Sequence, residues 1–268
     1  MKNVLTVAGS DSGGGAGIQA DIKTMCALGC FAVSALTAVT AQNTVKVEKV
    51  LEISPAMVQA QIRAVYEDIK VDAVKIGMVS SKENIYAVAR SLKTHKAQNV
   101  VLDPVMVSKS GYELLRKDAQ EALASLIAIA DLITPNIPEA EILSGISIKS
   151  MSDIRKAAGI ISDGGVENVL IKGGHAAGEY ATDILFSRGE FMEFSSPKFK
   201  VEGVHGSGCT LSSAIACFLA QGHGMPEAVE AAKKYVFQGI ENIIYLGSGP
   251  GVIGHLRSLY QRAGLSTD

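Results

Sequence analysis

The chain has 268 residues, 47% hydrophobic and 19% charged, with no tryptophan. That length and apolar share allow a sizeable buried core and argue against a disordered chain. A formal net charge of −2 without a run of lysine or arginine lacks the footprint of a nucleic-acid or membrane-surface binder, which leaves small-molecule chemistry as the expectation.

Four cysteines, Cys26, Cys30, Cys209 and Cys217, lie in apolar, helical contexts and are too few for a disulfide framework, so a reducing compartment fits. Cys26 and Cys30 lack a second pair at zinc spacing and read as small buried hydrophobes. The first apolar run is too short for a signal peptide or a membrane span, and the protein is expected in the cytoplasm.

Val4 to Ala8 reads as a buried strand, followed by the glycine loop Gly9 to Gly17 and a helix from Ile18 to Leu28. Ala32 to Ala41 is a second strand, with Gln42 just beyond its end, and Val47 to Ile53 alternates as a third. Ser54 with Pro55 opens a helix to about Ile69, and Ser80 with Glu83 forms a capping-box signature for the next. Between them Asp72 to Met78 holds a short strand. Strands follow at Val100 to Asp103 and Leu132 to Thr134, the latter entering a PNIP turn, with a helix from Asp118 to Ala128 between them. Ser152 caps a helix to about Ser162, and Val169 to Lys172 is a strand ending in glycines. Segments around Ile184 to Phe186 and Phe191 to Phe194 form a hairpin through Arg188 and Gly189. Three helices are expected after that: about Cys209 to Gln221, Pro226 to Tyr245 and Ile253 to Ala263.

Strands alternating with helices predict a mostly parallel sheet covered on both faces, with sites at the carboxyl ends of the strands. Those ends carry the polar and glycine-rich segments. The loop GSDSGGGAG fails the Walker A pattern for want of a closing lysine and hydroxyl, and fails GxGxxG at Ile18. Its glycines allow backbone to approach a flat ligand while Asp11 and Asp21 supply acceptors; a flexible connection is the alternative. Asp103 and Glu139, each after a strand, suit hydrated Mg2+ beside phosphate oxygens, and Lys172 suits a phosphate as a point charge. Taken singly, each is equally a cap or a surface residue. In VHGSGCTLSSA, Val204 to Ala214, glycines precede an apolar helix, so free N–H groups and the helix dipole make an anion hole of Gly206, Ser207, Gly208 and Cys209. Together these parts supply phosphoryl transfer with metal, positioning and charge stabilisation.

The GSGC turn and the segment Asn136-Ile137-Pro138-Glu139 resemble the GxGD and NxxE motifs of the ribokinase-like superfamily. The resemblance is closer to its hydroxymethylpyrimidine/phosphomethylpyrimidine kinases, through AGSDSGGGAGIQADIKT (from Ala8), AQNT (from Ala41), KIGM (from Lys75), VLDPVM (from Val101), ITPNIPEA (from Ile133), KGGH (Lys172 to His175) and HGSGCTLS (from His205). It covers nearly the whole chain. It implies a three-layer α/β ribokinase-like fold over residues 1–268, with helices on both faces of a mostly parallel central sheet and no fused partner domain. It also implies ATP with Mg2+, two successive phosphorylations of an aminopyrimidine alcohol in thiamine biosynthesis, and a homodimer by analogy. The pyrimidine contacts it implies are Gly9, Asp21, Gln42, Met78 and Val105; Asn136 and Lys172 attend the nucleotide, and Asp103 and Glu139 the metal. Cys209 stands where sugar kinases carry an aspartate base, and its place at a helix N-terminus suggests a raised thiolate fraction. Pyridoxal kinases share most of these motifs, although they generally lack the glutamine of AQNT. A non-catalytic sensor on the same fold is the other alternative. The late GSGPG, Gly247 to Gly251, resembles the family's turn near the nucleotide and reads equally well as a helix breaker.

Overall fold

Apolar, β-branched runs form the centre of the protein, seen in a computed structural model that describes residues 1–106, 114–115, 119–173, 179–199, 201 and 203–265. The strands are β1 (Asn3–Asp11), β2 (Phe31–Gln42), β3 (Val47–Glu52), β4 (Ala73–Ile76), β5 (Val100–Leu102), β6 (Leu132–Ile133), β7 (Asn168–Ile171), β8 (Tyr180–Ser187) and β9 (Glu190–Pro197). They join one sheet in the order β3-β2-β1-β4-β5-β6-β7-β8-β9. The pairs from β2 through β7 are parallel, and β3, β8 and β9 add antiparallel edges. A separate pair, β10 (Val204–His205) and β11 (Gly251–Val252), runs parallel.

The helices are α1 (Gly17–Ala27), α2 (Pro55–Asp68), α3 (Lys82–Thr94), α4 (Ala124–Ile127), α5 (Ile137–Ser144), α6 (Met151–Asp163), α7 (Ser207–Ala220), α8 (Met225–Glu241) and α9 (Arg257–Arg262). Central strands are buried on both sides, so period-2 alternation sends neighbouring apolar residues to different cores. Leu5, Val74, Leu102, Ile133 and Val169 pack with Ile62, Val88, Leu126 and Ala157 of α2, α3, α4 and α6. Val4, Ala73, Val101, Leu132 and Leu170 pack with Met25, Ile215 and Val229 of α1, α7 and α8. Three layers result, as the strand-helix alternation predicts.

Several boundaries differ from the sequence reading. Ser81, not Ser80, caps α3, accepting from the Asn84 amide, while Ser80 donates to Glu52. Ser150, not Ser152, caps α6. The PNIP turn is the first turn of α5: Asn136 and Glu139 form a reciprocal capping box with Pro138 inside it, where a missing N–H costs nothing. Residues 121–127 are a 3-10 turn running into α4; Asp118, like Gly174 and His175 of KGGH, lies outside the described residues. Helix α8 stops at Glu241, and the segment from Ile253 becomes helical only at Arg257. The GSGPG turn packs on Thr44, whose hydroxyl accepts from the Gly249 amide at 3.3 Å, so it braces the end of the AQNT segment.

His255, 6% exposed, sits behind the start of α7, with its Nε2 2.9 Å from the Thr210 hydroxyl. Burial, helped by the positive charge of Lys23, pushes its pKa down to about 4. Between that value and 6.5 the unfolded chain binds a proton that the folded chain refuses, so stability is full above pH 6.5 and falls as the pH drops toward 4. The loss amounts to about 3 kcal/mol. Melting temperatures of the wild type and His255→Gln should converge as the pH is lowered from 7 to 5; a constant gap would show that His255 does not carry the acid sensitivity.

Candidate active site

The carboxyl ends of the strands open into a cavity of about 510 Å³ lined by residues from β1, β2, β9, α7, α8 and the loops between them. Of the residues singled out in the sequence, Gly9, Gln42, Met78, Asp103, Val105, Asn136, Glu139, Lys172, Gly206, Ser207, Gly208 and Cys209 all reach its wall. Asp21 does not. It is fully buried beneath the floor, where both carboxylate oxygens meet Lys75 Nζ at 2.9 Å and accept from the hydroxyls of Thr6 (2.6 Å) and Ser213 (2.8 Å). A carboxylate so placed must be neutralised locally, and Lys75, itself 0% exposed, does so. Burial alone would depress the ammonium's pKa, but the Asp21 charge overrides it and raises it.

The anion turn depends on backbone conformation. Gly206 caps α7 at φ +79°, and a Cβ there would overlap the carbonyl oxygen of Gly15. Only glycine meets both demands. With no side chain at the cap, the N–H groups of residues 207–209 point from the positive end of a 14-residue helix with no capping oxygen.

The charged pair stands beside this turn. Lys172 Nζ lies 2.8 Å from Asp103 Oδ1, and a Cβ on Gly208 would be 3.4 Å from that nitrogen and 3.5 Å from Asp103 Oδ2. Asp103 also accepts from Thr134 Oγ1 at 3.3 Å. Glu139 completes the cluster. Burial raises its pKa, Lys172 pulls it down and Asp103 pushes it up; the net direction is up. The two acids share one lysine, so the cluster is short of positive charge.

Cys209 contradicts the expectation of a raised thiolate fraction. Burial pushes its pKa up to about 11, with Asp21 and Asp103 adding to the rise and Lys75 and a hydrogen bond from the Gly17 amide opposing it. The helix dipole does not offset the lost hydration.

Gln42, Met78 and Val105 line the same cavity. Gly9 has no room for a side chain, because Met78 Cε fills the space a Cβ would need. The sequence offers Asp11 as an acceptor for a ligand, but not the partners it has here, and it gives no sign of two further pairs. Asp11 accepts from the amides of Gly13, Gly15 and Ala16 and contacts His205 Nε2 at 3.1 Å. Burial would raise the Asp11 pKa, but those hydrogen bonds hold it below the usual carboxylate range. Lys233 meets Asp183 at 2.6 Å, and Phe199 stacks on Phe237 with ring centroids 4.7 Å apart, next to the cavity-lining Val236 and Ile240. No motif spacing signals these pairs.

The family model described as phosphomethylpyrimidine kinase matches residues 11–254. The chain belongs to the phosphomethylpyrimidine kinase family. It is 43% identical over 269 residues to the hydroxymethylpyrimidine/phosphomethylpyrimidine kinase of Bacillus subtilis, covering 100% of this chain and 98% of that one. A bifunctional thiamine biosynthesis protein of Geobacter sulfurreducens is 48% identical over 95% of this chain, which spans only 52% of that longer protein. Among solved structures, a phosphomethylpyrimidine kinase from Clostridium difficile matches with TM-score 0.81 and 46% identity, over 90% of this chain and 100% of that one. An ADP complex of Bacillus subtilis pyridoxal kinase matches with TM-score 0.89 and 36% identity, over 96% and 98%. The architecture of this family member is thus that of the ribokinase-like kinases.

Proposed function

We propose that this family member transfers phosphoryl groups from ATP to the hydroxymethyl oxygen of 4-amino-5-hydroxymethyl-2-methylpyrimidine and then to the resulting monophosphate, as a step of thiamine biosynthesis. The observation that carries this reading is the lining of the cavity: an uncapped helix N-terminus flanked by Lys172 and Asp103 shares it with Gln42, Met78 and Val105. Amide N–H groups at the anion turn stabilise the phosphoryl charge as it moves, an interaction that strengthens in a loose transition state. Gln42 offers a donor and an acceptor to an aminopyrimidine edge, and Met78 and Val105 cover an apolar ring face. The aromatic and aliphatic end around Phe237, Val236 and Ile240 suits the purine of ATP, with Asn136 and Lys172 toward its phosphates.

Mg2+ fits the donor set: Asp103 and Glu139 are hard oxygen donors with an excess of negative charge. Mg2+ is usually bound through one or two carboxylates with waters and substrate phosphate oxygens completing the set, which matches these two acids. Asp103 and Glu139 would hold the ion, and the chemistry it would supply there is neutralisation of phosphate charge. Lys172, meanwhile, holds Asp103 in place.

Cys209 acts as a neutral thiol that orients the acceptor hydroxyl. Because its pKa lies near 11, kcat should stay flat from pH 7 to 9. Cys209→Ser should keep turnover within about tenfold, and Cys209→Ala should lose about 10–100-fold, at or below the bottom of the roughly 10²–10⁴-fold range for proton-handling groups, as a positioning role requires. An alkaline rise in kcat that vanishes in the serine enzyme would show instead that the thiolate is the working form.

A cytoplasmic homodimer belongs to the same reading. All four cysteines are free, and no helix among the described residues is long and apolar enough to cross a membrane. The β3 edge exposes Leu51 (66%) beside Met57 (54%) of α2, a surface suited to a second copy. Pyridoxal is the competing acceptor, favoured by the closeness of the pyridoxal kinase fold. Incubation with ATP, Mg2+ and either alcohol, followed by mass analysis, separates the two: pyrimidine diphosphate is the product this reading requires, and pyridoxal phosphate alone would replace it.

A further inference from the structure

Gln42 ends β2 with its side-chain amide between two polar neighbours. Its Nε2 lies 3.3 Å from His205 Nε2, and its Oε1 lies 3.4 Å from Thr40 Oγ1. Amide oxygen and nitrogen differ only in their hydrogens, so the partners decide which is which. Each neighbour is already committed elsewhere. His205 Nε2 is 3.1 Å from Asp11 Oδ2, and that carboxylate, which accepts three backbone N–H groups, is an acceptor only. The imidazole nitrogen facing Gln42 therefore carries a hydrogen. Thr40 spends its hydroxyl hydrogen on the Ser10 carbonyl at 2.9 Å, which leaves only lone pairs toward Gln42. With Nε2 toward His205, N–H would face N–H, and Oε1 would face an oxygen with no hydrogen to give. Turned by half a revolution, the amide offers its oxygen as a second acceptor for the one Nε2 hydrogen, which Asp11 and Gln42 then share in a bifurcated bond, and its NH2 to the Thr40 lone pairs.

We infer that Asp11, His205 and Thr40 are positioning residues that lock the Gln42 amide with its oxygen toward His205 and its NH2 toward Thr40, and so fix the order in which the ring edge is read. The acceptor half then lies on the side of His205, which immediately precedes the anion turn at Gly206, and the donor half lies farther from it. After its internal bonds the amide keeps one oxygen lone pair and one N–H for a ligand. The ring it takes must present a donor next to the carbon bearing the reacting hydroxymethyl group and an acceptor one atom beyond. A 4-amino-5-hydroxymethylpyrimidine does this with its amine and N3. Its 4-oxo counterpart, with a carbonyl and an N3–H, presents the reverse order. The site is thus built to reject the deaminated ring, by leaving buried polar groups opposed rather than by steric exclusion. This inference rests on the pyrimidine reading above and adds the residues that set its selectivity.

The test compares kcat/KM for the amino ring and its 4-oxo counterpart, with ATP and Mg2+, in the unaltered chain and four variants. The unaltered chain should prefer the amino ring by about a hundredfold, as polar mismatch in a closed site demands. His205→Phe keeps a ring but removes the N–H, so it should narrow that preference at least tenfold, through KM rather than kcat. Thr40→Val should narrow it in the same direction by less, and it carries the test if His205→Phe does not fold. Gln42→Ala should abolish the preference, and His205→Phe added to Gln42→Ala should then change nothing further. An unmoved preference in both His205→Phe and Thr40→Val would overturn the inference, as would an equal effect of His205→Phe in the Gln42→Ala background. Failure of the unaltered chain to phosphorylate either ring would be a different result, ending the pyrimidine reading and the inference with it.

Discussion

A Lys75→Met variant should be less stable by about 3–5 kcal/mol, among the largest losses available to a single substitution in this chain. The substitution keeps the length of the side chain but strands Asp21, a carboxylate at 0% exposure whose remaining partners, Thr6 and Ser213, are neutral hydroxyls. Hydroxyl donors soften that burial but do not cancel the charge. Asp21→Asn placed on top of Lys75→Met should recover much of the loss, because a neutral amide costs far less to bury. Urea denaturation of the four proteins of this cycle measures both effects, and additive losses would show that the two side chains are not coupled.

The second large effect is catalytic. Lys172→Met should lower kcat/KM for ATP by roughly 10²–10³-fold, the range seen when a fixed positive group is removed from a phosphoryl or oxyanion site. The loss has two sources: a missing charge beside the anion turn, and the release of Asp103 and Glu139 to repel one another. Burial, Lys172 and Asp103 already leave the Glu139 pKa raised, so losing Lys172 raises it further. Lys172→Arg should recover part of the rate. Equal KM and kcat for ATP in wild type and Lys172→Met would remove the residue from the mechanism.

Sequence periodicity made the central layers readable because strands buried on both faces are continuous apolar runs, and the helices between them carry ordinary caps. It failed where local signals compete. Pro138 looked like a turn because proline stops helices, yet at the second position of α5 it is favoured, and the Asn136/Glu139 spacing was the available sign. Ser80 and Ser81 are neighbours with equal capping chemistry, and only the Glu52 carboxylate above Ser80 distinguishes them. Within the site, the glycine turn, Lys172 and the two acids were legible because each sits at a strand or helix end, where chemistry and topology coincide. Asp21 was misplaced at the ring because its motif neighbours line the cavity, and nothing local announces that Lys75, in the middle of β4, turns toward it. The Asp11–His205 contact could not be read from the sequence, since it joins residues 194 apart.

That separation bears on the order in which the protein is made. The loop after β1 leaves the ribosome long before its partners at the anion turn: Gly15 waits for Gly206, Asp11 for His205, and Asp21 for Ser213. A nascent chain that has paired β1 through β9 still lacks the N-terminus of α7. Closing the longest loops last is slow. A chain interrupted before α7 therefore lacks the amide donors to which the proposed function assigns the moving phosphoryl group.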